Sequence, residues 1–287
     1  MSVKKVLWLL FMLLCILMSM ENGANLAQAE GVRKSDQLGT PPKLEAKLIL
    51  YKNQYLLREP IWIKVQVTNV GSEPGKFEFV NIDGLTIKDT IGTIYPCKFA
   101  IDRFPVNINP GQTFEEQFNI LTSYGVKEDT FWVRFYLPPE KYQVYYQVED
   151  GVRSESFSFS IMEPGGDEIK AMNLLKESYD LQIQKKDKES LGKLKELIRV
   201  YPKSQYYVYA LLLSAGGLED WYDLIQRFPD SREAIQAIGS IALTYEYKKD
   251  KQGFIDAMNS LIQKYPNTDI AKEAKDRLNR MDDKYFR

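Results

Sequence analysis

Proton-transfer chemistry at neutral pH asks first for a histidine, and this chain has none among its 287 residues. The commonest general base, the imidazole of nucleophilic triads and the commonest metal ligand are lost together. Two cysteines remain, Cys15 inside an N-terminal apolar run and Cys97 just after Tyr95-Pro96. Once the apolar run is removed, one thiol can build neither an intramolecular disulfide nor a Cys/His zinc site. With Lys98 as its one basic neighbour in sequence, Cys97 reads as a small buried apolar group. Chemistry by carboxylates alone would need a convergent pair, and Glu115-Glu116 is an adjacent pair in the strand-rich half. Successive strand residues point to opposite faces, so these two cannot flank one glycosidic bond. No catalytic, cofactor-binding or metal-binding residue is assigned, and the chain is not expected to be an enzyme.

Binding without reaction is open to two aromatic sets. Trp62, Trp132, Tyr136 and Tyr145 offer either an exposed strip of the carbohydrate-binding kind or ordinary cross-strand packing. Tyr206, Tyr209, Trp221 and Tyr222, with Tyr207, form the densest aromatic set of the second half. Tyr206 and Tyr209 are three apart and share a helical face. These residues either pack helices together or floor a site for a bound peptide, a surface that tyrosine hydroxyls tolerate. Lys185-Lys186-Asp187-Lys188, a basic run, is short and mixed and reads as a solvated turn. Across the chain 38 Lys and Arg balance 39 Asp and Glu, so no global field favours nucleic acid.

These residues need elements to hold them. At 44% hydrophobic and 27% charged, the chain is long enough for two domains with their own cores. Lys4 and Lys5, the apolar run 6–18 and the closing Ala27-Gln28-Ala29 have the order of a secretory signal peptide, with cleavage expected after Ala29. The run is shorter than the roughly 20 residues of a spanning helix; an uncleaved membrane anchor is the alternative. Residues 30–42 are polar and read as a flexible linker. From 43 to 164 apolar residues recur every second position, as at Ile61, Ile63, Val65 and Val67, with turns at Gly71-Ser72-Glu73-Pro74-Gly75 and Asn109-Pro110-Gly111. Seven to nine short strands follow, an antiparallel β-sandwich. Glu163-Pro164-Gly165-Gly166-Asp167 is the border, with Asp167 able to cap a starting helix.

From 165 to 287 the period becomes three to four, and helices are expected at 167–185, 187–201, 204–215, 217–228, 231–248, 250–265 and 268–284. Three junctions share one phrase: Tyr201-Pro202-Lys203-Ser204, Phe228-Pro229-Asp230-Ser231 and Tyr265-Pro266-Asn267-Thr268. The aromatic closes a helix, the proline forbids its continuation, and the hydroxyl caps the next. Intervals of 27 and 37 residues bracket a helical hairpin.

Two resemblances follow from these residues. Glu59-Pro60-Ile61, Asn109-Pro110-Gly111 and Leu137-Pro138-Pro139-Glu140-Lys141-Tyr142 resemble the strand-opening phrases of immunoglobulin-like sandwiches in bacterial secreted proteins, with Glu140 where glycine is usual. The three junction phrases resemble tetratricopeptide-type repeats of bacterial envelope proteins, although the unit 205–228 is short and turns at Gly216-Gly217. The first resemblance implies architecture only; the second implies a scaffold that holds peptides or partner proteins. The expectation is a secreted or periplasmic, cell-envelope protein that binds another envelope or secreted protein through its helices. A polysaccharide or wall ligand on the aromatic face of the sandwich is the alternative, and any membrane contact is through an uncleaved N-terminus.

Overall fold

A computed structural model describes residues 43–80, 84–95, 97, 103–121, 126–128, 134–148 and 151–286. The expected signal peptide and linker lie outside the described residues. The chain divides between Pro164 and Gly165 into two compact units, the first built of strands and the second of helices.

The first unit contains β1 (Leu44–Leu50), β2 (Gln54–Leu56), β3 (Trp62–Asn69), β4 (Gly75–Phe79), β5 (Leu85–Asp89), β6 (Ile94–Tyr95), β7 (Phe104–Ile108), β8 (Thr113–Asn119), β9 (Val126–Glu128), β10 (Arg134–Tyr136), β11 (Lys141–Tyr146) and β12 (Phe157–Met162). One sheet has the order β1-β3-β8 and is wholly antiparallel. A second runs β2-β12-β11-β5-β6, with β2 parallel to β12. Two ribbons, β4 with β7 and β9 with β10, complete the described pairings.

Alternation decides what each strand buries. In β3, Ile63, Val65 and Val67 are fully buried while Trp62, Lys64, Gln66 and Thr68 alternate as half-exposed residues. In β11, Tyr142, Val144 and Tyr146 turn inward. The inward faces of both sheets join in one core that also takes Phe77 and Phe79 from β4 and Ile108 from β7. Phe79 sits at its middle, with ring centroids 5.2 Å from Phe104, 4.7 Å from Phe114 and 5.9 Å from Tyr146. Each such aliphatic or aromatic side chain contributes about 1.5–3 kcal/mol when fully buried.

Polar groups are built into this apolar frame as well, among them those of Asn69 and Tyr142. Asn69, at the end of β3, is fully buried. Its amide nitrogen donates to the carbonyls of Glu73 at 2.8 Å and Ile108 at 3.2 Å, and its Oδ1 accepts from Gly71 N at 2.9 Å. It therefore fixes the turn 70–74 against β7. Tyr142, at the start of β11, donates its hydroxyl to the Pro138 carbonyl at 2.6 Å.

More and shorter strands are present than the pattern suggested. Gln54–Leu56 and Phe104–Ile108 were not expected as strands. Among the described residues, β6 is limited to Ile94–Tyr95, with Pro96 directly after it.

The second unit holds α1 (Asp167–Ile183), α2 (Asp187–Val200), α3 (Tyr207–Ser214), α4 (Leu218–Arg227), α5 (Arg232–Lys248), α6 (Lys251–Lys264) and α7 (Asp269–Asn279), then a 3-10 turn at Asp283–Phe286. Each helix packs on its successor, and α5 also contacts both α3 and α7. The three aromatic-proline junctions have nearly one backbone geometry. Tyr201, Phe228 and Tyr265 have φ of -123°, -133° and -125° and ψ of 57°, 55° and 54°. Each donates its N–H to the leucine four residues earlier, Leu197, Leu224 or Leu261, and all three leucines are buried.

Two of the three expected hydroxyl caps form on helices. Ser231 accepts from Ala234 N at 3.1 Å and Thr268 from Ala271 N at 3.4 Å. Ser204 does not cap α3, which begins three residues later than expected; it accepts from Tyr206 N at 3.1 Å and donates to Glu168 instead. Asp167 does not cap α1 either. The N-cap position belongs to Gly166 at φ 56°, a left-handed conformation that suits glycine, and Asp167 is the first helical residue, paired with Lys170 at 2.9 Å. No helix among the described residues is long and apolar enough to cross a membrane.

Candidate interaction surface

The aromatic set of the helical unit is mostly interior. Tyr206 is 0% exposed, Tyr209 8% and Trp221 6%; Tyr222 alone of the four is half-buried. α3 explains this: its sequence YVYALLLS carries no charge over eight residues, and a helix apolar all round is held inside. The structure thus uses Tyr206, Tyr209 and Trp221 as packing between helices. No floor of exposed tyrosine rings forms from them.

Their hydroxyls tie helices together. Tyr179 of α1 donates to the Tyr209 hydroxyl of α3 at 2.8 Å. Tyr207 accepts from Arg227 Nη2 at 2.6 Å, which locks α3 to the end of α4. Tyr222 of α4 is hydrogen-bonded to Tyr245 of α5, and burial pushes its hydroxyl up to about 12. Charged side chains link alternate helices as well. Glu168 of α1 accepts from the Ser204 hydroxyl at 2.7 Å and Gln205 N at 3.2 Å. Arg232, the first residue of α5, reaches Asp269, the first of α7, at 2.7 Å. Further along, the Arg277 guanidinium of α7 lies across α5 at Gly239, where a Cβ would stand 3.2 Å from Nη2. Burial raises the Glu246 carboxyl on the same helix, and the Arg277 charge opposes that rise.

Tyr179, Glu168 and Tyr245 escaped the reading of the sequence. Tyr179 stands one residue past the buried Ser178 of α1, and Glu168 is one of two acidic residues in the first turn of that helix. Nothing in the sequence marks Glu168 as the partner of a serine 36 residues away.

One cavity of about 650 Å³ opens between α1 and α2, lined by Glu177, Asp180, Glu189, Glu196 and Lys193 among others. Glu177 and Lys193 pair across it at 2.5 Å. Between the same two helices Ser178 of α1 and Ser190 of α2, both buried, share a hydrogen bond of 2.9 Å. The basic run Lys185-Lys186-Asp187-Lys188 is the solvated turn that joins α1 to α2 and the start of α2.

In the strand unit the aromatic strip does not assemble. Trp62 lies on the solvent side of the β1-β3-β8 sheet, and Tyr145 on the solvent side of β11 in the other sheet. Tyr145 is covered by the Arg153 guanidinium, 3.3 Å from its ring centroid. Tyr136 belongs to the β9-β10 ribbon with Arg58 over it at 5.0 Å, and Trp132 lies outside the described residues. Glu115 and Glu116 stand on opposite faces, as Glu115 is opposite Gln66 and Glu116 opposite the core residue Val65. The buried carboxylate of Glu59 is occupied structurally, accepting from Leu56 N at 2.9 Å and pairing with Lys52. Cys97 packs half-buried against the core. Among the described residues no group of three or more His, Cys, Asp or Glu converges as metal ligands would.

The sequence matches no family model and no curated protein. Solved structures give faint likenesses. A β-glucosidase from Erythrobacter marinus matches with a TM-score of 0.31 at 14% identity over 42% of this chain and 16% of that one. The β-glucosidase from Listeria innocua in complex with glucose gives 0.31 at 14% over 49% and 20%, and an alkylpurine DNA glycosylase of Pseudomonas fluorescens bound to DNA gives 0.27 at 14% over 43% and 32%. The chain spans a third or less of each of these proteins. At such scores the likenesses carry no argument about activity. What stands is the class: a chain of two units, β then α.

Proposed function

We propose that this is a non-enzymatic secreted or cell-envelope protein whose helical unit, a tetratricopeptide-like array, holds another envelope or secreted protein. The observation that carries this reading is the recurrence of one junction geometry at Tyr201, Phe228 and Tyr265, each followed by proline and each anchored to a buried leucine. A repeated junction stacks helical hairpins so that alternate helices meet, as α5 does with α3 and α7, and such stacks work as extended binding surfaces. In the same reading the strand unit is an immunoglobulin-like sandwich acting as spacer or second contact. Its support is the pair of sheets around one core and the Tyr142 hydroxyl turned back onto Pro138, as in the tyrosine corner of such domains.

With Tyr206, Tyr209 and Trp221 occupied inside, contact falls to exposed residues of the alternate helices. These include Asn173 of α1, Gln236 and Tyr247 of α5, and Lys272 of α7. Photo-crosslinking side chains placed at Asn173, Gln236 and Lys272 in the native envelope fraction should each yield an adduct with the same protein. The same probe at Lys195, Gln226 and Gln263 of α2, α4 and α6 should not. Equal labelling from both sets, or capture of polysaccharide alone, would overturn the reading.

A further inference from the structure

Strand β1 forms one edge of its sheet, paired only with β3 among the described residues. The pairing of Lys43 with Val70 fixes which groups face outward. The Val70 N–H donates to the Lys43 carbonyl at 2.8 Å, so the odd residues Lys43, Glu45, Lys47 and Ile49 turn their main-chain groups toward β3. The N–H and C=O groups of Leu44, Ala46, Leu48 and Leu50 therefore point off the sheet. This edge is seven residues long and carries no proline. It is the kind of edge that templates another strand. The opposite edge, β8, differs: Glu116 lies on the core side opposite Val65, and an inward carboxylate at an edge opposes pairing.

We propose that the β1 edge is the contact of a homodimer, in which β1 of two copies pair antiparallel about a two-fold axis through Ala46. Charge selects both the partner and the register. Glu45 and Lys47 are exposed on the same outer face. An axis through Ala46 sets Glu45 of each copy directly opposite Lys47 of the other, giving two identical ion pairs. An axis through Glu45 or Lys47 would place like charges face to face, which is destabilising. A lone edge lysine ordinarily repels an identical edge; two residues from a glutamate, it becomes half of a self-complementary pattern. The main chain agrees with the charges. Ala46 opposite Ala46, and Leu44 opposite Leu48 on both sides, are the positions whose outward groups exchange hydrogen bonds, about six in all. Glu45 and Lys47 then occupy the closer, non-hydrogen-bonded positions where side chains meet best. The axis stands perpendicular to the sheet, so Leu44, Ala46, Leu48 and Leu50 of both copies keep facing their own cores. The two three-stranded sheets become one of six strands.

Sedimentation equilibrium of the full chain across a concentration series tests this. The unsubstituted chain should show a reversible, concentration-dependent dimer. Lys47→Glu and Glu45→Lys each convert two attractive pairs into two repulsive ones and should each weaken the dimer about tenfold. The double exchange rebuilds both pairs with reversed sign and should return the dissociation constant to within about threefold of the original. Zero-length carbodiimide coupling of a mixture of isotopically light and heavy chains should yield a Glu45–Lys47 linkage between copies. A chain that stays monomeric across the series overturns the proposal. So does a dimer indifferent to the single exchanges, or a double exchange no tighter than they are. Should a single exchange fail to fold by circular dichroism, the coupling experiment on the unsubstituted chain decides, and absence of the light-heavy linkage refutes it.

Discussion

Asn69 offers the sharpest test of how the strand unit is held together. Its side chain satisfies three backbone groups with no water available: the carbonyls of Glu73 and Ile108 and the N–H of Gly71. Each such bond contributes about 1 kcal/mol net, and orphaning a buried partner costs about 1–3 kcal/mol. Asn69→Ala should therefore cost about 3 kcal/mol, against a total stability of about 5–15 kcal/mol for a domain. Asn69→Asp separates hydrogen bonding from shape. The carboxylate still accepts from Gly71, but its second oxygen faces two carbonyl oxygens where an amide had donated. The charged form is disfavoured in the fold, so the folded carboxyl titrates above its unfolded value of about 3.9. Stability of the Asp variant is then present below the unfolded pKa and lost as pH rises through the folded one. Its deficit against the parent should be largest near neutrality and shrink on acidification. Urea unfolding read by hydrogen-exchange mass spectrometry on peptides covering 60–80 isolates this unit from the helices. An alanine variant that loses less than about 1 kcal/mol, or an aspartate deficit independent of pH, would refute the account.

The helix caps and Glu246 give two further tests. Ser231→Ala and Thr268→Ala should each lower thermal stability of the helical unit by about 1 kcal/mol. Ser204→Ala, which removes the Glu168 tie as well as the bond to Tyr206 N, should cost more than either; far-UV circular dichroism of the three variants ranks them, and equal losses would show that the Glu168 link contributes nothing. Burial raises the Glu246 carboxyl, so its contribution is present below the unfolded pKa and lost as pH rises through the raised one. Glu246→Gln should raise the Tm at neutral pH and not at acid pH, a reversal of which would mean that the Arg277 charge outweighs desolvation.

The division into strands and helices was legible because the hydrophobic period changes at Pro164, and the helical unit was legible in detail because its signals are local. A proline two residues before a hydroxyl stops one helix and starts another whatever lies elsewhere in the chain. The failures are non-local. β2 is three residues long and owes its existence to a parallel partner, β12, more than a hundred positions away. β7 contains Pro105 and pairs with β4 across an intervening strand pair. Asp167 lost the cap because Gly166, free to take a positive φ, turns the chain one residue earlier. The density of aromatic residues at 206–222 is visible in the sequence, but burial depends on which neighbouring helix closes over each ring. That follows from the arrangement of α3 between its neighbours, and no spacing within 206–222 encodes it.

The likeness of the three junctions bears on how this chain tolerates change. Proline bars the residue before it from the helical basin, so the bend at Tyr201, Phe228 and Tyr265 is set by two adjacent residues. The lengths of the helices on either side do not enter. Units of 27 and 37 residues accordingly end on an aromatic residue with almost the same φ and ψ. Length and direction are thus governed by different parts of the chain: a turn added to α5 or a shortened α3 alters how far a unit reaches, while the heading of the next helix is preserved. Replacing a single proline does the reverse, keeping every helix long enough and sending all that follows in a new direction.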